Sequence, residues 1–545
     1  MDIYPTKAQF LRGEEASLRL ETCGAAVLKV VIRLSRLGET VRELRLHDVT
    51  ADTNIPLGSF DESFASYGVD ARVETEGGSF ELHTAFDVTD EPRRCLRYGF
   101  LSDFTREDAG NGAVDWLCKC HINMVQFYDW SYRHDSLVPP ENDYTDMMGK
   151  ILCLDTVMDK IRRCHERGML AMAYGAVYAA SREFFERHRS WAFYNPEKRP
   201  FVFIDVFYIM NIQRGSPWRE HLIGQYKSAL GVGFDGIHMD TYGFPKTAYS
   251  HLSAEPELVH LDEEFPSLIA DTRSALSSEG MEPCLVFNNV GNWPASATAK
   301  APQDAVYIEV WPPYERYHHL SQLIREARLC AKNEKPIILA AYLQPFREND
   351  RRGAMTAAKL LTAAVVSNGA SSLLTGESGA VLTQGYYSDY TKLTEDEARE
   401  LRRYYDFQTR YGELFYSADM RDVSMTHMGW DNYEYRCLSH QVSADGEAGK
   451  LWAVLREGER RKCISIINLA GCDDHWNRAK PAPTPQREMT WSIQIDNMPK
   501  AAYAAAPERP EPMELELNYE VTDKGRFAEL TVPEVKLWTV VWLEF

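Results

Sequence analysis

Basic charge is what this sequence is short of: 60 Lys and Arg stand against 80 Asp and Glu, a formal net charge of −20 over 545 residues. An acidic excess of that size repels phosphate backbones and anionic lipid, which argues against a nucleic-acid or membrane partner. Long apolar runs are missing too, and none approaches the ~20 residues of a bilayer-spanning helix. The N-terminus, MDIYPTKAQFLRGEEASL, lacks the charged-then-apolar layout of a secretory signal. The expectation is a cytoplasmic protein, or a secreted one whose signal peptide is absent from this chain. The 11 cysteines are odd in number and scattered, without a C-x-x-C or a zinc-type Cys/His spacing. Free thiols follow, and neither a metal nor a cofactor is expected. Internal repeats and low-complexity tails are lacking as well.

What is present is an ordinary globular composition, 44% apolar and 26% charged, with 28 Tyr and 12 Trp. The chain is too long for one core, so several domains are expected. Residues 1–92 read as β, with alternating runs such as Val27–Leu34 and Phe80–Phe86 between turn signals, the pattern of a small immunoglobulin-like sandwich. Residues 93–420 alternate short apolar strands with helical segments. Eight strands are legible, YGFL, NMVQFY, LAMAY, GIHM, LVFN, VYI, ILAAY and SLLT, which predicts a (β/α)8 TIM barrel. Within it, Phe201–Met210 reads as one further strand-like run. Residues 421–545 return to β, including runs at Thr490–Ile495, Met513–Tyr519 and Leu537–Phe545. Pro-rich linkers are read at Lys480–Pro485 and Pro507–Pro512, and a C-terminal antiparallel β-sandwich is predicted.

The stretch Gly233–Gly243, GFDGIHMDTYG, puts a carboxylate, Asp240, at the end of a short strand. A barrel delivers catalytic groups from such positions; capping of the next helix is the alternative. The other strand ends supply Asp129 and Trp130, Gly175, Asn288 and Asn289, Glu309 and Trp311, Gln344, and Glu377. Carboxylates, amides and aromatics with almost no basic residues suit a neutral polyhydroxyl ligand rather than a phosphate. Glycoside hydrolysis needs two carboxyl groups, and Asp240 and Glu309, on strands 4 and 6, are the natural pair. A rim ion pair for Glu309 and a loop cap for Asp129 remain open. His238 and Asp240 share one strand face, but nothing completes a metal site around them.

Together these segments resemble glycoside hydrolase family 66, the dextranases and cycloisomaltooligosaccharide glucanotransferases. The resemblance is carried by IYPTKAQFLRGEEASLRLE, RYGFLSDF, VQFYDW, GFDGIHMD, YIEVW, ILAAY and GASSLLTGESGAVL in that order. It implies retaining cleavage of α-1,6-glucan, with Asp240 in GIHMD as nucleophile and Glu309 in YIEVW as acid/base. It further implies that Asp129, Tyr174, His238, Trp311 and Glu377 line the sugar nearest the cleaved bond. Tyr242 and Asn289 complete the expected substrate-binding set. Two motifs depart from the family: Thr241-Tyr242-Gly243 stands where Gln-Leu-Gly is usual, and Glu377-Ser378-Gly379 where Glu-His-Gly is common. The barrel leaves no room for the inserted carbohydrate-binding module of the cyclising members, which favours hydrolysis. The alternatives are a transglycosylase making cyclic or elongated isomalto-oligosaccharides by the same double displacement, and a non-catalytic glycan-binding protein. The expected partner is an α-glucan or oligosaccharide; oligomeric state is not legible.

Overall fold

The computed structural model describes residues 1–49 and 51–545. Its centre is a parallel sheet of eight strands: Tyr98–Leu101 (β1), Met124–Phe127 (β2), Leu170–Ala176 (β3), Gly236–Asp240 (β4), Cys284–Val290 (β5), Ala305–Glu309 (β6), Ile337–Ala340 (β7) and Ser371–Ser372 (β8). The strands pair in sequence order. A parallel bridge from Phe100 to Gly376, just past β8, brings the last segment back to the first. Glycine is required at that closure, because a Cβ on residue 376 would fall on the Phe100 ring. Helices Leu154–Glu166, Pro217–Val232, Leu261–Ser278, Tyr317–Cys330 and Arg351–Ser367 follow individual strands and cover the outside.

Strand alternation sorts the barrel side chains into two sets. Tyr98, Met124, Met172, Val286, Tyr307 and Ile338 fill the interior. Val125, Ala173, Ile237, Phe287 and Ile308 point the other way, into the helix layer. That two-residue period decides which strand-end residues can meet above the barrel.

Before the barrel, a three-stranded and a five-stranded sheet enclose an apolar core that includes Leu18, Val30, Ile32, Val69 and Phe86. After it, a seven-stranded and a four-stranded sheet enclose Leu455, Ile464, Trp491 and Leu530. Trp538 turns the opposite way, onto Tyr404 and Phe407 of helix Glu395–Arg410. Two buried ion pairs tie the first β region to the rest. Arg97, one residue before β1, donates to both oxygens of Asp87 at 2.8 and 2.9 Å. Arg410 does the same to Asp70 at 2.7 and 2.8 Å. Among the described residues no helix is long and apolar enough to cross a membrane.

Three readings from sequence need correction. Phe201–Met210 is a hairpin, Val202–Phe203 against Phe207–Ile209. Its three-residue turn, Ile204 to Val206, takes positive φ at Ile204 and Asp205, a conformation an Ile does not advertise. Met513–Tyr519 divides between two strands, Arg509–Leu515 and Asn518–Thr522. The supposed linker Pro507–Pro512 runs into the first of these, an edge strand, where Pro510 and Pro512 are tolerated because an edge leaves backbone N–H positions unpaired.

Candidate active site

Helix Pro217–Val232 ends on Gly233, whose φ of 123° lets the chain turn sharply into β4. Asp240 is the last residue of β4. The next helix begins at Leu261 with His260 as its N-cap, so Asp240 caps nothing. Its Oδ2 accepts from the Tyr174 hydroxyl on β3 at 2.6 Å, and its Oδ1 accepts from Nδ2 of Asn288 on β5 at 2.7 Å.

Glu309 closes β6 in the same way. Its Oε1 accepts from the Tyr342 hydroxyl at 2.7 Å, and its Oε2 accepts from the same Asn288 Nδ2 at 3.1 Å. One amide nitrogen therefore bridges both carboxylates. The two oxygens it touches lie no further apart than the sum of those two bonds. Both residues are 8% exposed, so neither carboxylate is freely hydrated.

Burial, and then the charge of Glu309, pushes the Asp240 carboxyl up to about 7; the bonds from Tyr174, Asn288 and the Thr241 backbone pull it back down. Burial likewise raises Glu309, against bonds from Tyr342 and Asn288. Two carboxyls this close titrate as a coupled pair rather than independently. His238, whose Nδ1 lies 2.8 Å from the Tyr98 hydroxyl, is pushed down to about 3 by burial and is a neutral imidazole. Asp129, at φ 50°, is pushed up to about 7 by burial and by Asp146.

These groups line a cleft of about 520 Å³. Tyr128 stacks on Tyr387 at 4.4 Å along one wall, and Tyr242 stacks on Phe203 at 4.2 Å along another. Trp311, 37% exposed, stands at the rim against Tyr342. Among the described residues no Lys or Arg lines the cleft. Aromatic faces with hydroxyl, amide and carboxylate groups provide stacking surfaces and hydrogen bonds for a sugar.

Of the residues expected from sequence, Asp129, Tyr174, His238, Asp240, Tyr242, Glu309 and Trp311 meet in this cleft. Two do not. Asn289 points out of the barrel, donating to the Tyr307 carbonyl at 2.8 Å and accepting from the Thr298 hydroxyl at 2.6 Å. Its neighbour Asn288 takes the inward place. Glu377, just past β8, does not line the cleft but is buried in an ion pair with Lys160 at 3.1 Å, and it also accepts from the Ser102 and Asp103 backbone N–H groups. Tyr342 and Tyr387 were not anticipated; they come from loops beyond the ends of β7 and β8.

The glycosyl hydrolase family 66 model matches residues 5–542. A cycloisomaltooligosaccharide glucanotransferase of Niallia circulans is 20% identical over 709 residues, spanning 99% of this chain and 71% of that protein. A dextranase of Streptococcus salivarius is 22% identical over 462 residues, spanning 72% of this chain and 54% of that one. The crystal structure of a Paenibacillus sp. cycloisomaltooligosaccharide glucanotransferase, complexed with cycloisomaltoheptaose, superposes with a TM-score of 0.89 at 19% identity over 99% of each chain. A maltogenic α-amylase from Thermotoga neapolitana aligns with a TM-score of 0.52 at 12% identity, covering 82% of this chain and 98% of that one. At these identities the structural likeness is one of fold. The family match, spanning nearly the whole chain, makes this protein a member of glycosyl hydrolase family 66 and thus an enzyme of the glycoside hydrolase class.

Proposed function

We propose that this protein is a retaining hydrolase of α-1,6-glucosidic linkages in dextran or isomalto-oligosaccharides, with Asp240 as nucleophile and Glu309 as acid/base. The observation that carries the reading is the single Asn288 amide shared by both carboxylates. It holds them close enough for one to attack the anomeric carbon while the other serves the glycosidic oxygen.

In the first step an Asp240 oxygen bonds to the anomeric carbon, the glycosidic C–O bond breaks, and Glu309 gives its proton to the departing oxygen. Glu309, now a carboxylate, takes a proton from water, whose oxygen displaces Asp240 from the anomeric carbon. Two inversions leave the configuration as it began. Tyr174 and Asn288 stabilise the ionised Asp240, and the buried setting of Glu309 favours its protonated form. Asp129, His238 and Tyr242 are the groups we assign to the sugar hydroxyls, with Trp311 as an outer platform.

Asp240→Ala and Glu309→Gln test the assignment. Each is expected to abolish dextran hydrolysis with thermal stability retained, and near-normal turnover in either variant overturns it. The N. circulans relative that spans this chain is a glucanotransferase, so transfer to a second sugar through the same two carboxylates is the second reading. Chromatography of products separates linear sugars from cyclic or elongated ones.

We also propose the division 1–92, 93–420 and 421–545, with an immunoglobulin-like first unit and a C-terminal β-sandwich. The confinement of one apolar core to residues 3–88 supports the first boundary.

A further inference from the structure

A second feature lies at the opposite end of the barrel. A cavity of about 1130 Å³ is bordered by Leu96, Asp304, Ile337 and Ser371, residues at or just before the starts of β1, β6, β7 and β8. Seven cationic side chains line it against four carboxylates, an inversion of the sign of the whole chain, which carries −20.

Two of the cations stand out. Arg456 is 3% exposed; its Nη2 donates to the Met420 carbonyl at 2.7 Å, while Nε and Nη1 are buried with no acceptor. Arg328, from the last turn of helix Tyr317–Cys330, donates Nη2 to the Gly369 carbonyl at 2.7 Å. The two guanidinium groups converge on Gly369: a Cβ there would sit 2.7 Å from Nη1 of Arg456 and 2.9 Å from Nη2 of Arg328. Among the described residues the acid that acts on both is Asp422, and its Oδ1 is already taken by the Ser424 N–H and hydroxyl at 2.9 and 2.6 Å. Burial, and then Arg456, pushes Arg328 down to about 10, and burial lowers Arg456. Like charges sharing a buried wall, with N–H groups left over, are costly unless an anion completes them.

We propose that this cavity binds a phosphate-class oxyanion, free or as an ester, held by Arg328 and Arg456. Guanidinium groups match the oxygens of such an anion, and the cavity is far larger than a halide needs. The site lies across the barrel from Asp240 and Glu309, so its occupancy adds to stability and leaves glucan turnover unchanged.

The test uses the intact chain in thermal melts, titrated with inorganic phosphate or glucose 6-phosphate at an ionic strength held constant with sodium chloride. A saturable rise in Tm is expected, weakened roughly tenfold or more by Arg456→Gln and by Arg328→Gln. Asp422→Asn, which removes the negative charge that acts on both guanidinium groups, is expected to tighten binding. A rise with one probe and not the other identifies the free ion or the ester, and either supports the proposal. No saturable rise beyond the chloride control, or unchanged affinity in both arginine variants, overturns it. If Arg456→Gln fails to fold, the half-buried Arg328 carries the comparison alone.

Discussion

The Tyr174 hydroxyl, on the third barrel strand, lies 2.6 Å from Oδ2 of Asp240 at the end of the fourth. Adjacent parallel strands put it there: Tyr174 is the register partner of His238, two residues before Asp240, and all three side chains face inward. The bond lowers a carboxyl that burial and Glu309 have pushed up to about 7. Tyr174→Phe removes that donor, so the Asp240 pKa rises and less of it is ionised at neutral pH. The acidic limb of the kcat/KM profile is expected to move to higher pH, with a ~10–100-fold loss at pH 7, the value of a hydrogen bond to a charged group. An unmoved limb counts against Asp240 as the ionised nucleophile.

Glu309 acts on the same group with the opposite sign. Its charge is the second cause raising Asp240. The first step needs Glu309 protonated, so its ionisation sets the basic limb of the profile, and Glu309→Ala should abolish that limb while the acidic limb remains. The measurement needs an aryl α-glucoside whose leaving group departs without a proton, so that the first step survives in the variant. A rapid burst followed by slow turnover is expected, because the deglycosylation step has lost its base.

Trp311 touches the reaction less directly. It stands at the rim, 37% exposed, edge-on to Tyr342. Trp311→Ala removes a stacking face that serves ground and transition states alike. KM is expected to rise by about tenfold with kcat little changed. A fall in kcat at constant KM would instead place Trp311 in the positioning of Glu309.

Stability rests in part on Asp70 and Arg410, which join the first β region to helix Glu395–Arg410. Burial alone would raise the Asp70 carboxyl, but the bonds from Arg410 and His83 outweigh it and hold the pKa well below the usual range. A pKa depressed on folding adds stability that is present above the unfolded value of ~3.9 and lost as pH falls through the folded one. Asp70→Asn leaves Arg410 buried without its partner, at a cost of about 3–5 kcal/mol. Denaturation at neutral pH should show that loss, and the variant's stability should fall less steeply on acidification than that of the parent.

The barrel was legible because its eight strands are short apolar runs ended by carboxylates, amides or glycine, and Asp240 and Glu309 sit where such runs stop. The limit was register. Asn288 and Asn289 are chemically identical, and only the strand's two-residue period puts the first on both carboxylates and the second against Thr298. Glu377 looked like a strand-end ligand, but its partner Lys160 is 217 residues away in sequence and no local pattern announces the pair. Tyr342 and Tyr387 reach the cleft from loops, where periodicity carries no information.

Retention requires two displacements at one carbon. Proton NMR of the first sugar released from an α-1,6-glucan, recorded before mutarotation, reads that directly. Retention by Asp240 and Glu309 predicts the α-anomer as the initial product, decaying to the equilibrium mixture. An initial β-anomer would mean a single displacement by water, contradicting the role given to Asp240.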